Sequence, residues 1–127
     1  MESLQIRTGM LALNILDDNG EVRGVFNFNP QDVKIGQKVF DMIADFQVKQ
    51  LEFDKKKADC SGPEDVLKLL NEMIAYYKEE IDSTWGENSS KTLFGDANTI
   101  TMFEDFFSGI TPYYTRESKK RTAKYKK

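Results

Sequence analysis

Apolar and polar positions alternate from about residue 10 to residue 28. Leu11, Leu13 and Ile15 interleave with Ala12 and Asn14. Beyond "DDNGE", Val22, Gly24, Phe26 and Phe28 share one face, and Arg23, Val25, Asn27 and Asn29 the other. A period of two predicts a β-hairpin over roughly 10–17 and 21–28. Asn19-Gly20 offers the positive dihedrals of a tight turn. Leu4 and Ile6 fit an earlier strand, with Gly9 between them and the hairpin.

The period changes at "NPQD", where Asn29 suits a helix cap and Pro30 a first helical position. Val39/Phe40, Ile43, Phe46, Gln50 and Phe53 recur at three- and four-residue steps, predicting an amphipathic helix to about Lys57. Gly36 allows a short turn before a main helix from 37. "FDKKKADCSGPED" favours a break, after which Ser61 and Glu64 have capping-box spacing and Pro63 suits a first turn. The next helix carries Val66, Leu70, Met73, Tyr77 and Ile81, flanked by Leu67, Leu69, Ile74 and Tyr76. Trp85 continues that stripe from Ile81, and Gly86 can end the helix. Leu93 and Phe94 then return to cover its edge before Gly95 reverses the chain. This stretch reads as a packed elbow, with a partner contact centred on Trp85 as the alternative. A third helix is expected from near Thr99, using Ile100, Phe103, Phe106 and Phe107, with Gly109 and Pro112 leaving its far end open.

The fold expected is α+β and mainly helical: an N-terminal β-hairpin packed on a small bundle of about three helices. A lone hairpin is marginal in water, so its Phe26/Phe28 face must meet the helices. Residues 1–115 form one domain in this reading, and 116–127 a basic tail, disordered or only conditionally helical.

Composition narrows the chemistry. Hydrophobic residues are 39% of the 127 and aromatics 12%, enough for one modest core. Histidine is absent and Cys60 is the single cysteine, which removes the usual proton shuttle and a sulfur–nitrogen zinc site. Cys60 has no base to activate it and reads as an inert thiol. Asp41, Asp45, Glu79, Glu80, Asp82, Glu87, Asp96, Glu104 and Asp105 are candidate acids or ligands by residue type alone. Spacing does not single out a pair, and solvated helix surface is the expectation for them. "DDNGE" is too short for a calcium loop, and the isolated glycines near Trp85 and Phe94 do not make a phosphate loop. No enzyme, cofactor or metal is expected.

No apolar run reaches the roughly 18–20 residues of a membrane span. "MESLQIRTGM" lacks the basic flank and apolar block of a secretory signal, so a soluble cytoplasmic protein is expected. The net charge of −3 is uneven. The last twelve residues carry seven Lys or Arg against one Glu, a net of +6, which leaves −9 for residues 1–115. Lys119, Lys120, Arg121, Lys124, Lys126 and Lys127 are therefore candidate electrostatic contacts. Their partner could be phosphates, in a salt-dependent manner, an acidic protein surface or the chain's own acidic body, and the alternative is a merely solubilising terminus. Only Tyr125 interleaves among them and the acidic body repels nucleic acid, which is disfavoured. The aromatic content permits a homo-oligomer, although no heptad run fixes its geometry.

"EEIDSTWGENSSKTLFGD" resembles the helix–"FGEGT…FGD"–helix signature of tail assembly chaperones from long-tailed phages of Gram-positive bacteria. "FNFNPQD" followed by "VFDMIADFQ" is similar to their N-terminal strand and first helix, and the resemblance spans roughly 24–108. Trp85 stands at the first aromatic position, Gly86-Glu87 match the Gly-Glu pair, and Phe94-Gly95-Asp96 match the second half. Asn88 departs from the motif's second glycine, and Ser89 and Ser90 replace its hydroxyl region. The resemblance implies a chaperone that binds and solubilises the tape-measure protein during tail morphogenesis. It implies action in the bacterial host cytoplasm and absence from the mature virion. A longer frameshifted form would contact tail-tube protein. Tyr76, Tyr77, Trp85, Phe94, Phe103, Phe106 and Phe107 are the candidate protein-binding residues. The alternatives are a generic protein-interaction or regulatory module and a nucleic-acid binder using the basic tail.

Overall fold

The computed structural model of the chain describes residues 1–125, with side chains through Lys120. Two strands, β1 (Leu11–Leu16) and β2 (Val22–Phe28), form an antiparallel hairpin. Four helices follow: α1 (Val33–Ala58), α2 (Pro63–Trp85), α3 (Ser89–Phe94) and α4 (Thr101–Tyr125). The architecture is the expected mainly helical α+β one, with short α3 added where an elbow was read.

Leu11 pairs with Phe28, Leu13 with Phe26 and Ile15 with Gly24, so the predicted face is the one turned to the helices. Phe26 and Phe28 are buried and Val25 lies outside, but Val22, expected on the Phe26 face, is exposed because the pairing register shifts at Ile15/Leu16. The turn differs in type from the expected one. Among its residues only Gly20 has a positive φ, +79°, and the Gly20 amide donates to the Asp17 carbonyl at 3.0 Å. This is a three-residue loop closed by a left-handed glycine. The Asp17 carboxylate rigidifies it by accepting from the amides of Asn19 and Glu21, each at 2.9 Å. Residues 1–10 form no strand, and Leu4 and Ile6 are exposed.

Helix α1 starts later than its sequence suggested. Asn29 is spent on the preceding turn, accepting from the Gln31 amide at 2.9 Å and donating to the Thr8 carbonyl at 2.5 Å. Asp32 caps instead, its carboxylate accepting from Ile35 N at 3.0 Å. The helix then runs unbroken through Gly36, which faces Tyr114 of α4. At α2 the expected capping box is absent. Gly62 is the N-cap, and the Ser61 hydroxyl donates to Asp65 at 2.6 Å. Pro63 does occupy the first turn.

The core gathers rings from β2 and all four helices. Phe103, Tyr77 and Ile81 are wholly buried, and Phe46 packs against Tyr77 and Phe107 with centroids 5.0 and 5.3 Å apart. From the hairpin, Phe26 meets Trp85 at 5.7 Å and Phe106 at 5.9 Å, and Phe28 meets Tyr113 at 5.5 Å. Edge-to-face pairs of this kind add about 0.5–1.5 kcal/mol each beyond the area they bury. Helix α4 does not stop near Pro112. Ile110 and Tyr114, both 3% exposed, anchor it on either side of the proline, so burial outweighs the lost backbone bond. Its backbone continues through the boundary expected at 115.

Candidate protein-interaction surface

The elbow after α2 is built by backbone conformations that few residues tolerate. Gly86 (φ +116°), Asn88 (φ +71°) and Gly95 (φ +62°) all have positive φ. Between them α3 buries Ser90, Leu93 and Phe94. Asp82 holds the start of α3 from the preceding helix, accepting from Ser90 N at 2.7 Å and from Ser90 Oγ at 3.1 Å. This carboxylate supplies the cap that Asn88 does not make. Arg23 of β2 donates to the Leu93 carbonyl at 2.8 Å and ties the hairpin to α3.

The seven aromatic candidates divide. Tyr77, Phe94, Phe103 and Phe107 are 0–5% exposed, so in this conformation they build the core and touch no client. Trp85 and Phe106 are half-buried. Their rings meet at 5.2 Å, and Trp85 Nε1 donates to Tyr114 Oη at 3.3 Å. Tyr76 is 39% exposed and lies under Lys49, whose Nζ is 4.7 Å from its ring centroid.

Tyr76 stands at the rim of a groove of about 200 Å³ between α1 and α2. Phe53, Leu69 and Met73 line it, between charged Lys49 and Lys56 and acidic Glu52 and Glu72. A second cleft, of about 410 Å³, opens between the hairpin, the end of α3 and the start of α4. Phe94, Met102 and Phe106 meet Arg23 and Asp105 there. The first groove has a greasy floor with ionic rims.

Four of the acidic candidates are structurally engaged, Asp82 as described above and three more. Asp45 accepts from Tyr77 Oη at 3.4 Å and pairs with Lys49 at 3.8 Å. Asp41 accepts from Gln37 at 2.9 Å and Glu104 from Gln50 at 3.3 Å. Among the described residues no three His, Cys, Asp or Glu gather as metal ligands, and no helix is long and apolar enough to cross a membrane. Burial raises the Tyr77 and Tyr114 hydroxyls above the usual tyrosine range, and the Asp45 carboxylate pushes Tyr77 further. Hydrogen bonds from Ser61 hold Asp65 below the ordinary aspartate value.

Of the basic candidates, Lys119 and Lys120 are exposed near the end of α4, and Lys120 pairs with Glu117 at 3.6 Å. Arg121 and Lys124 lie on the α4 backbone, and Lys126 and Lys127 fall outside the described residues.

One apolar surface was missing from the sequence reading. Phe40, grouped with Val39 as inward-facing, points away from the core and is 41% exposed. Val33, Val48 and Leu51 are exposed too, at 69, 52 and 65%. The signal was present in the seven-, four-, four- and three-residue steps 33–40–44–48–51, masked by the stronger stripe on the opposite side of the helix.

Comparison with protein-family profiles, with curated proteins and with solved structures gives no match.

Proposed function

We propose that this chain is a protein-binding assembly factor, a phage tail assembly chaperone whose client is the tape-measure protein. The observation that carries the reading is the α1–α2 groove floored by Phe53, Leu69 and Met73, with Tyr76 on its rim. A tape-measure protein is a long amphipathic helix whose apolar stripe self-associates when bare. A groove of this kind covers such a stripe reversibly, the floor taking apolar anchors and the ionic rims fixing direction.

The elbow supports the same reading. In the motif that it resembles, glycines stand where this chain has Gly86, Asn88 and Gly95, and all three have positive φ here. Asn88 is therefore a mild departure: asparagine is the residue after glycine that best tolerates the left-handed region.

Co-expression with a tape-measure protein tests the proposal. The client should stay soluble with the intact chain and precipitate with Met73→Glu, a change in the half-buried groove floor checked for folding by circular dichroism. A client equally soluble with and without the chaperone would overturn the assignment.

A further inference from the structure

The outer face of α1 carries a second apolar stripe that no element of the fold covers. Val33, Phe40, Ala44 and Leu51 fall within about 40° of one another around the helix, opposite the buried Val39, Met42 and Phe46. All four are exposed. Their spacings are seven, four and seven residues, so the stripe reads the same in both directions along the helix.

We propose that this stripe is the seam of a homodimer, in which two copies of α1 pack antiparallel about a two-fold axis. A self-complementary patch is what a two-fold interface requires, because each residue meets its own reversed counterpart. With the axis midway between Phe40 and Ala44, the Phe40 ring covers the partner's Ala44, and Val33 lies against the partner's Leu51. Val48 enters the space between the partner's Val33 and Phe40. Large opposite small at the centre permits close approach of the two helices.

The flanking charges fit the same register. Lys34 and Glu52 lie on one flank of the stripe, and both are exposed. Neither has an ion-pair partner among the described residues. Reversal about the axis sets Lys34 beside the partner's Glu52, and Glu52 beside the partner's Lys34. Near the axis Asp41 faces the partner's Asp45. That like-charge contact is moderated by Lys49, which pairs with Asp45 at 3.8 Å in its own chain, and by Lys38 on the same flank. A client helix would need neither the reversed spacing nor charges matched end for end, which is why a second copy is the occupant. The apolar stripe lies away from the floor of the α1–α2 groove, and only Lys49 and Glu52 of its charged flank also stand on the groove's rim.

Sedimentation velocity of the full chain across a wide concentration range tests the seam. The intact protein should show a monomer–dimer equilibrium, and Leu51→Lys should weaken it about tenfold or more. Lys34→Glu and Glu52→Lys should each weaken it, and the two together should restore it. In a Cys60→Ser background, a chain with Val33→Cys should cross-link to one with Leu51→Cys, and Val33→Cys should not cross-link to itself. Circular dichroism confirms folding, which substitutions at these exposed sites leave intact. A chain monomeric at every concentration, or a dimer indifferent to Leu51→Lys, would overturn the proposal. So would failure of the charge-swapped double variant to recover dimerisation. A monomer whose α1 stripe is protected from exchange only by added tape-measure protein would reassign the stripe to the client.

Discussion

At the scale of single residues, function-like chemistry turns out to be architecture. Asp82, one of nine acidic candidates by sequence, caps a helix eight residues away by accepting two hydrogen bonds from Ser90. Ser90 is itself buried, so removing its acceptor leaves a buried amide and hydroxyl unsatisfied. Asp82→Ala should destabilise the fold by about 1–3 kcal/mol, measured by urea unfolding, with amide exchange quickening first in α3. This contact was not legible in the sequence. Asp82 and Ser90 belong to two different helices, and only the chain reversal at Gly86 brings them together. Conversely, the roles of Trp85, Leu93 and Phe94 were legible, because an apolar stripe ending at a glycine has few places to go. Tyr77 and Tyr76 show the limit of pattern: adjacent residues on a broad apolar face, one sealed and one at a rim.

At the scale of elements, the hairpin and the α2 stripe could be read from periodicity because each has one dominant buried face. Helix α1 could not be read fully, since it is apolar on two faces and the pattern reports only their sum. Caps were misplaced at both α1 and α2 for a common reason. Asn29 and Ser61 each bond to something other than the helix amides, Asn29 to the distant Thr8 carbonyl and Ser61 to the Asp65 side chain four residues on. Helix α4 opposes local propensity to tertiary burial, and burial prevails. Pro112 cannot donate to the Ser108 carbonyl, while the Thr111 hydroxyl donates to the Phe107 carbonyl at 2.5 Å. Because Pro112 is exposed, Pro112→Ala should restore the missing backbone bond without disturbing packing. The expected gain is about 1–3 kcal/mol, measured by chemical denaturation, with new exchange protection at residue 112.

At the scale of the whole molecule, the buried tyrosines set a limit on the alkaline side. The Tyr77 and Tyr114 hydroxyls titrate higher in the folded chain than in the unfolded one, chiefly through burial. The unfolded chain therefore binds fewer protons as pH rises through the ordinary tyrosine value of about 10. Their contribution to stability is complete below that value and declines above it. Thermal melts should show a falling midpoint from about pH 10 upward, and Tyr77→Phe should make the fall shallower, since phenylalanine keeps the ring and loses the ionisable group. A midpoint flat to pH 11, or a slope unchanged by Tyr77→Phe, would contradict this account.

The aromatic contacts between Phe28 and Tyr113 and between Phe26 and Phe106 join the hairpin to α4. During synthesis, the hairpin leaves the ribosome long before the surface that roofs it exists. Trp85 can meet Phe26 early, but Phe28 lacks Tyr113 and Tyr114 until the polypeptide has grown past them. The roof is thus completed late, and a truncation short of Tyr113 leaves part of the oily ribbon bare.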